Sequence, residues 1–194
     1  MASAAIVDVD HESVSDDALM VRILRKDATA FGFVVNAHAH TLHRIAYRMI
    51  GDAAEAEDVA QEALTRLWQH AARWQGGQSG IAAWLKRVTM NLCLDRLRRR
   101  RFASDEVVPE RADVAPLAPA LIEAEQQRAT VVAAIAALPD NQRAAIVLTY
   151  YEDLPNAAAA QSMEMNIKAF ESLLLRARGA LKRALTGDGT GEIL

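Results

Sequence analysis

Apolar residues recur three and four positions apart along most of this chain of 194 residues. This spacing places them on one face of an α-helix. It runs through the segment from Phe31 to Met49 and again through the segment from Ala54 to Trp74. Alternating runs of β-branched residues, which would predict strands, are absent from the sequence. Because alanine, the strongest helix former, also supplies much of the hydrophobic content, the pattern predicts an all-α protein.

One segment interrupts the helical pattern and divides the chain. Residues 103–119 contain three of the five prolines and have no helical period, which is typical of an extended linker. On either side of it we expect a small helical domain, namely a three- or four-helix bundle before the linker and a helix-turn-helix domain after it. The expected limits are a flexible tail at 1–17, the first domain at 18–102, the linker at 103–119, the second domain at 120–186 and a flexible tail at 187–194.

The sequence from Leu154 to Leu185 fits a helix-turn-helix motif, with a short helix, a tight turn and a longer basic helix. Glu164 lies at the turn, where glycine would adopt the left-handed backbone freely, so we expect a cost on the order of 1 kcal/mol. Asn166 is predicted to cap the longer helix, and Asp140 is predicted to cap an earlier helix that ends near Tyr151.

The longer helix of this motif has one apolar and one polar face. The residues predicted to face inward are Ile167, Phe170, Leu174, Ala177 and Leu181. The residues predicted to be exposed include Lys168, Ser172, Arg176 and Arg178. In this motif the second helix enters the major groove, where basic side chains reach base edges and phosphates. A plain amphipathic helix with solvated charges is the alternative.

Four consecutive arginines, Arg98 to Arg101, end the last predicted helix of the first domain, although the chain has a net charge of −3 and a pI near 6.0. The helix dipole favours cations at this end, but the effect is typically below about 1 kcal/mol per charge and is confined to the last turn. Because adjacent arginines repel one another, the block indicates a polyanionic ligand such as nucleic acid. A solvated, solubilising face is the alternative.

The preceding helix has the opposite charge in its first two turns. Its polar side chains between Asp58 and Arg66 form a broad face that would repel nucleic acid but suits a protein surface rich in arginine. We therefore expect the first domain to keep a protein-docking face apart from a nucleic-acid-binding face. This separation would reconcile strong local fields with a small net charge.

Taken together, these segments resemble the extracytoplasmic-function (ECF) class of bacterial RNA polymerase sigma factors. The matching stretches are AEDVAQEAL followed by LW, then WLKRVTMNLCLDRLRRRR, then LPDNQR followed by RARGALKRAL. The first domain is similar to sigma region two and the second to region four. The resemblance implies a transcription initiation factor that is not an enzyme, binds core RNA polymerase and directs it to the −10 and −35 elements of promoters.

The resemblance also implies a role for particular residues. Region two would dock on the clamp helices of the largest polymerase subunit through Asp58, Gln61, Glu62 and Leu64. Its last helix would contact and help to melt the −10 element through Lys86, Asn91, Asp95, Arg96, Arg98, Arg99 and Arg100. Region four would contact the polymerase flap and read the −35 element through Asn166, Lys168, Ser172, Arg176 and Arg178. Members commonly have Glu-Ile where this chain has Ala158 and Ala159, and glycine in place of Glu164, so no promoter sequence is predicted.

Further expectations concern partners and location. The resemblance implies an anti-sigma factor that clasps the two domains, control by stress or an environmental signal, and a free monomer. The expected location is the cytoplasm, either free or held at the inner membrane by the anti-sigma partner. The N-terminus lacks the pattern of a signal peptide, and no segment approaches the ~20 apolar residues of a transmembrane helix.

No catalytic site, cofactor, metal or small-molecule substrate is expected. His38, His40 and His43 lack a carboxylate or cysteine at ligand spacing, and the single cysteine, Cys93, lies in an apolar stretch typical of a core residue. Two other functions stay open. A stand-alone helix-turn-helix regulator would dimerise and bind DNA without polymerase, whereas a protein-binding helical scaffold would show no salt-dependent DNA binding.

Overall fold

The computed structural model describes residues 15–74, 80–103 and 119–186. The predicted C-terminal tail, most of the predicted linker and residues 1–14 of the predicted N-terminal tail lie outside the described residues. Within the described ranges the chain is helical and contains no strand, which confirms the predicted all-α fold class. The predicted domain limits stay a prediction.

In the described part, the helices follow the chain in two groups. The N-terminal unit consists of α1 (Asp16–Leu24), α2 (Ala28–Ile50), α3 (Ala53–His70), a 3-10 turn (Ala71–Arg73) and α4 (Gly80–Ala103). The C-terminal unit consists of α5 (Pro119–Ala136), α6 (Asp140–Ile146), a π-helical turn (Val147–Tyr151), α7 (Asn156–Ser162) and α8 (Ile167–Thr186). None of these described helices combines the length and apolar character needed to cross a membrane.

Short polar side chains begin the first three helices. Ser15, Asp27 and Asp52 each accept backbone N–H bonds from the first turn that follows them. These bonds satisfy amides that have no partner within the helix. The backbone N–H of Ala30, together with the Arg22 guanidinium, lowers the pKa of the Asp27 carboxyl. Ser15 caps α1, and the helix begins at Asp16. It therefore begins within the N-terminal tail that was predicted for residues 1–17.

The core of the N-terminal unit forms where α2, α3 and α4 pack together. Buried side chains line the inner faces of both helices, among them Leu42 and Ile45 on α2 and Leu67 on α3. In the shorter α1, Leu24 is 48% exposed. The inward positions of α1 are taken by Met20 and Ile23, and the next residue is rotated by about 100° away from them.

In the C-terminal unit, the core lies between α6 and the inner face of α8. Phe170, Leu174 and Ala177 are buried there as predicted. Ile167, also predicted to face inward, is 45% exposed. A helical side chain covers the turn that precedes its own Cα, and Ile167 is the first residue of α8, so it has no preceding turn to cover.

The start of α6 differs from the prediction that Asp140 caps this helix. Pro139 holds the N-cap position, and no side-chain cap bond is made there in the described structure. Asp140 is the first residue inside the helix, and its carboxylate pairs with Arg101 of α4. Its charge still lies in the first turn, where the helix dipole favours an anion.

Helix α4 is central because it contacts both units. It packs against α2 and α3 and also against α6 and α7. The units are further joined by Arg143 of α6, whose Nη1 donates to the carbonyl oxygen of Met49 in α2 at 2.5 Å. The guanidinium of Arg48 lies 4.3 Å from the centroid of the Tyr151 ring. The two units are therefore packed directly on each other in this structure.

Candidate polymerase and nucleic-acid interfaces

The predicted polymerase-docking residues lie on α3. Asp58 and Gln61 are exposed, and Glu62 is half-buried. Gln61 donates to a carboxylate oxygen of Glu57 at 3.1 Å along the same helix. Leu64 is only 7% exposed and packs in the core. The surface that α3 offers to a partner therefore consists of polar and acidic side chains.

Two of the predicted DNA-contacting arginines turn toward this acidic helix. Arg96 donates to the backbone carbonyl of Glu55 at 3.2 Å, and its guanidinium lies 3.6 Å from a Glu62 carboxylate oxygen and 3.9 Å from one of Asp58. Arg100 pairs with the Glu55 carboxylate. The predicted separation of an acidic and a basic face is therefore incomplete, because these two arginines join the faces along the α3–α4 contact.

The remaining residues of the predicted −10 set on the last turns of α4 are open to solvent. Arg98 has a side chain that is 68% exposed, and its one polar side-chain contact among the described residues is with Asp95, at 2.8 Å. Arg99 is exposed and makes no salt bridge or side-chain hydrogen bond among the described residues. Both guanidinium groups are therefore accessible to a ligand such as a phosphate backbone.

Lys86 and Asn91 lie earlier on α4 and contact the C-terminal unit instead. Lys86 Nζ is 3.0 Å from a carboxylate oxygen of Glu152. Asn91 Nδ2 donates to a carboxylate oxygen of Glu164 at 2.9 Å. Between the units lies a cleft of about 560 Å³ whose wall includes Asp95 and Arg98. Part of the predicted −10 surface thus faces the C-terminal unit.

The predicted −35 residues lie at the start and on the exposed face of α8. Asn166 caps this helix by accepting the N–H of Ala169 at 2.8 Å, which confirms the predicted cap. All the predicted side chains of the set are exposed: Lys168, Ser172, Arg176 and Arg178. The first three are spaced four apart and share one face, whereas Arg178 lies about 200° further round the helix. Only those three form a single strip that a groove can receive.

The turn before α8 has the backbone that the sequence predicted. Glu164 has a φ of 54°, the left-handed region that favours glycine. Ala160 is buried at 2% exposure in α7, as a small residue must be where two helices cross closely. The structure therefore contains the predicted short helix, tight turn and longer helix, as α7, the turn at Glu164 and α8, in spite of the unfavourable residue at the turn.

Three interacting side chains were not predicted from the sequence: Arg44, Arg143 and Glu152. Glu152 lies between the units with its side chain only 2% exposed, and it contacts Arg44 as well as Lys86. Arg143 donates to carbonyl oxygens of both units, and its burial lowers the pKa of the guanidinium. The position of Arg143 four residues after a helix-breaking proline was a usable signal for a helix-end contact, but no local pattern marks Glu152.

Cys93 and His38, which were weighed in the sequence for redox and metal chemistry, lie buried and half-buried in the structure. Cys93 is buried, which confirms its predicted core role, and burial raises the pKa of its thiol to about 12. Burial also lowers the pKa of the half-buried His38. Among the described residues, no group of three or more His, Cys, Asp or Glu side chains is arranged to hold a metal ion.

Comparison with known proteins gives matches on both sides of the predicted linker. The model of sigma-70 region 2 matches residues 34–103, and the model of sigma-70 region 4 matches residues 128–181. The RNA polymerase sigma-H factor of Pseudomonas aeruginosa is 31% identical over 181 residues, which cover 88% of this chain and 93% of that protein. The ECF RNA polymerase sigma factor SigL of Mycobacterium tuberculosis is 32% identical over 165 residues, which cover 82% of this chain and 90% of that protein.

A solved structure gives the same fold. The sigma factor RpoE, crystallised in complex with the anti-sigma factor NepR from Bartonella quintana, matches with a TM-score of 0.64 at 24% identity. The match covers 81% of this chain and 98% of that one. At this identity the likeness shows the fold alone.

The two matched regions define the class of protein as the sigma-70 family. With both region models matched, the chain belongs to the ECF class of sigma-70 family RNA polymerase sigma factors. It is therefore a transcription initiation factor and not an enzyme, as predicted. The stand-alone regulator and the protein-binding scaffold are set aside by this membership.

Proposed function

We propose that the exposed polar face of α3 docks on the clamp helices of core RNA polymerase, with Asp58, Gln61 and Glu62 as its contacts. The support is electrostatic, because this face carries carboxylates that would repel DNA and attract a cationic protein surface. Arg96 holds two of these carboxylates from behind, at 3.6 and 3.9 Å, and so fixes their orientation. Leu64 would act from the core by keeping α3 in place.

The C-terminal turns of α4 would contact the −10 element and assist its melting. The observation that carries this assignment is the exposure of Arg98 and Arg99, beside intramolecular pairs that occupy the neighbouring Arg96 and Arg100. Exposed guanidinium groups bind phosphates and stack on unpaired bases. Asp95, which pairs with Arg98, would orient that guanidinium rather than contact DNA itself.

The exposed strip on α8 would read the −35 element in the major groove, with Lys168, Ser172 and Arg176 as its core. Asn166 leaves the first turn of α8 capped, and Ser172 and Arg176 already bond to backbone carbonyls of their own helix at 2.9 and 3.3 Å. These weak local bonds can be exchanged for contacts with DNA. Arg178, on another face, would contact phosphate, and the same unit would meet the polymerase flap.

An anti-sigma factor is proposed as the regulator, since the fold likeness includes a sigma factor crystallised with an anti-sigma factor. Such a partner would keep the chain inactive in the cytoplasm, or at the inner membrane where the partner is anchored there. Stress or an environmental signal would then release the chain from this partner.

A capture and run-off assay with charge-changing variants tests the division of faces. Gln61→Lys places a cation on the α3 face without removing a contact to Arg96, and should abolish capture of core polymerase. Gln69→Lys, exposed in the last turn of the same helix, is the matched control and should bind normally. Arg98→Ala with Arg99→Ala should leave capture intact but reduce run-off transcription and permanganate reactivity of the −10 region.

If the α3 and α4 variants lost polymerase capture to the same extent, the two faces would not have separate roles. If Gln61→Lys and the Arg98→Ala, Arg99→Ala double variant both supported normal run-off synthesis from a genome-wide promoter library, neither face would take part in initiation.

A further inference from the structure

The first turn of α1 carries two carboxylates that bond to other parts of the N-terminal unit. Asp16 Oδ2 accepts the backbone N–H of Ile81, in the first turn of α4, at 2.7 Å. Asp17 Oδ1 accepts the indole N–H of Trp74, which follows the 3-10 turn after α3, at 2.9 Å. Both acids belong to the segment that was predicted to be a flexible tail. In the structure they join the end of α3 to the start of α4.

The bond from Asp16 is a helix cap that another helix supplies. The first backbone N–H groups of an α-helix have no partner within it, and a carboxylate there also meets the positive end of the helix dipole. Gly80, the first residue of α4, has a φ of 65°, a left-handed value that favours glycine. A Cβ at this position would lie 2.5 Å from Asp16 Oδ2. A side chain at position 80 would therefore displace the carboxylate that caps α4.

Helix α1 gives these two acids a fixed base. Met20 and Ile23, one and two turns after the acids, are 2% and 0% exposed. Trp74 is itself half-buried and packs against the core. The carboxylates therefore extend from a helix that is anchored in the same core as α2, α3 and α4.

The other end of α4 is tied to α3 by different contacts. Arg96 donates to the backbone carbonyl of Glu55 at 3.2 Å, and Arg100 pairs with the carboxylate of the same residue, near the start of α3. The exposed Arg98 lies about 26 Å along α4 from the capped end. Core packing resists separation of the two helices, and polar ties at both ends add a fixed direction. The α1 acids supply the ties at the end that is remote from the arginine block.

We propose that Asp16 and Asp17 are positioning residues for promoter opening, because they hold the start of α4 in a fixed place beside the end of α3. This inference rests on the proposed roles of α3 in polymerase docking and of α4 in contact with the −10 element. Neither acid touches DNA, and each acts through the element that it holds. Helix α1 thereby sets the direction in which the docked protein presents its exposed arginines to the promoter.

Substitutions of Asp16 test the contact in holoenzyme reconstituted from core polymerase and the full-length protein. Asp16→Ala removes the acceptor and should lower permanganate reactivity of the −10 region roughly 5-fold or more, with polymerase capture unchanged. Asp16→Asn keeps an oxygen that can accept the same N–H, and asparagine caps helices as well as aspartate does. Opening should therefore return to near the natural level in Asp16→Asn, which separates loss of the hydrogen bond from loss of the charge.

Ile45→Val is the matched control for stability. Ile45 is fully buried on α2, and loss of one methylene there destabilises the same unit by an amount similar to a lost cap. The ties between α1 and α4 stay in place, so opening should remain near the natural level. An equal loss of opening in this control would show that any destabilisation of the unit impairs opening, and would overturn the proposal.

Gly80→Ala tests the same tie from its other side without a change in charge. The added methyl group displaces the Asp16 carboxylate, so the variant should reproduce the defect of Asp16→Ala. The double variant should lose no more opening than Gly80→Ala alone, because two residues that act through one contact are not additive. A further loss in the double variant would show that the two positions act separately, and would contradict the assigned contact.

Trp74→Phe tests the second contact and replaces the first test if Asp16→Ala or Gly80→Ala loses helicity by circular dichroism. It keeps an aromatic ring and removes the N–H that Asp17 accepts. Opening should fall while polymerase capture stays intact. Normal opening in a well-folded Trp74→Phe protein would overturn the role of Asp17.

Two results would overturn the role of Asp16: unchanged opening in well-folded Asp16→Ala, or failure of Asp16→Asn to restore it. A parallel loss of capture and opening would also refute positioning, since it would show damage to the whole unit. The Arg98→Ala, Arg99→Ala double variant keeps these results distinct from failure of the proposed function. It still loses opening if only the positioning role is wrong, and it opens promoters normally if the proposed role of α4 is wrong.

Discussion

The clearest test of how the two units hold together is Arg143→Met, which keeps an apolar stem and removes the guanidinium. Arg143 donates to the carbonyl oxygens of Met49 at 2.5 Å, Ala136 at 2.5 Å and Leu138 at 3.2 Å. A hydrogen bond from a charged donor contributes about 1.5–3 kcal/mol, and water can replace the one to the more exposed Ala136. The substitution therefore removes two partly buried hydrogen bonds, those to Met49 and Leu138. Part of the free energy that they contribute offsets the cost of burying the charged guanidinium.

We expect this variant to lose about 2–4 kcal/mol of unfolding free energy, or about 1 M in the urea midpoint at the slope usual for a chain of this size. The midpoint should be measured by circular dichroism and by tryptophan fluorescence. All three tryptophans, Trp68, Trp74 and Trp84, lie in the N-terminal unit. Because Arg143 belongs to the C-terminal unit but bonds to Met49 in α2, both signals should shift.

Arg66→Met provides the control. Arg66 pairs with Glu62 at 2.6 Å, but both side chains are more than a third exposed, at 44% and 39%. Such a pair contributes about 0.5 kcal/mol or less. If Arg143→Met shifted the midpoint no further than Arg66→Met, the carbonyl contacts would not stabilise the protein. A shift in circular dichroism without one in fluorescence would show that Arg143 does not support the N-terminal unit.

Two other predictions concern single positions. Cys93 should resist a disulfide reagent in the native protein at neutral pH, because the thiol is buried and its pKa is raised to about 12. Labelling of the thiol should therefore follow unfolding as urea is added. Rapid labelling without urea would contradict the burial of Cys93. Glu164→Gly should raise the unfolding free energy by about 1 kcal/mol in a thermal melt, because glycine adopts a φ of 54° without strain. A loss of stability in that variant would show that the bond from Asn91 to Glu164 outweighs the strain.

Much of the local structure could be predicted from the sequence, because it depends on residues close together in the chain. The cap at Asn166 and the left-handed turn at Glu164 follow from residue type and position within a few residues. The inner face of α8 follows from helical periodicity, except at Ile167, where the helix has only begun. In these cases the conformation is set by interactions among residues that are close together in the sequence.

Contacts between the units could not be predicted in the same way. Arg44 and Glu152 are 108 positions apart, and neither has a neighbour in the sequence that marks it as paired. Likewise, Asp140 looked like a helix cap because of its position after Pro139, and only the packed structure shows that its carboxylate meets Arg101. A charged side chain could pair with any of several opposite charges in the chain. Tertiary packing decides which of them it contacts.

The arginine block shows how one run of like charges can have two roles. Arg96 and Arg100 are four residues apart and share the face of α4 that meets the acids of α3, whereas Arg98 lies about 200° round the helix from Arg96 and Arg99 lies at the exposed edge of the shared face, about 60° from Arg96. The first pair neutralises and orients the acidic face, which reduces repulsion within the block, and the second pair stays available to DNA. Substitution of the α3 acids that contact Arg96 would therefore disturb both faces at once. Gln61 bonds only along its own helix among the described residues, so it is the position at which the proposed polymerase docking can be tested apart from the proposed DNA binding.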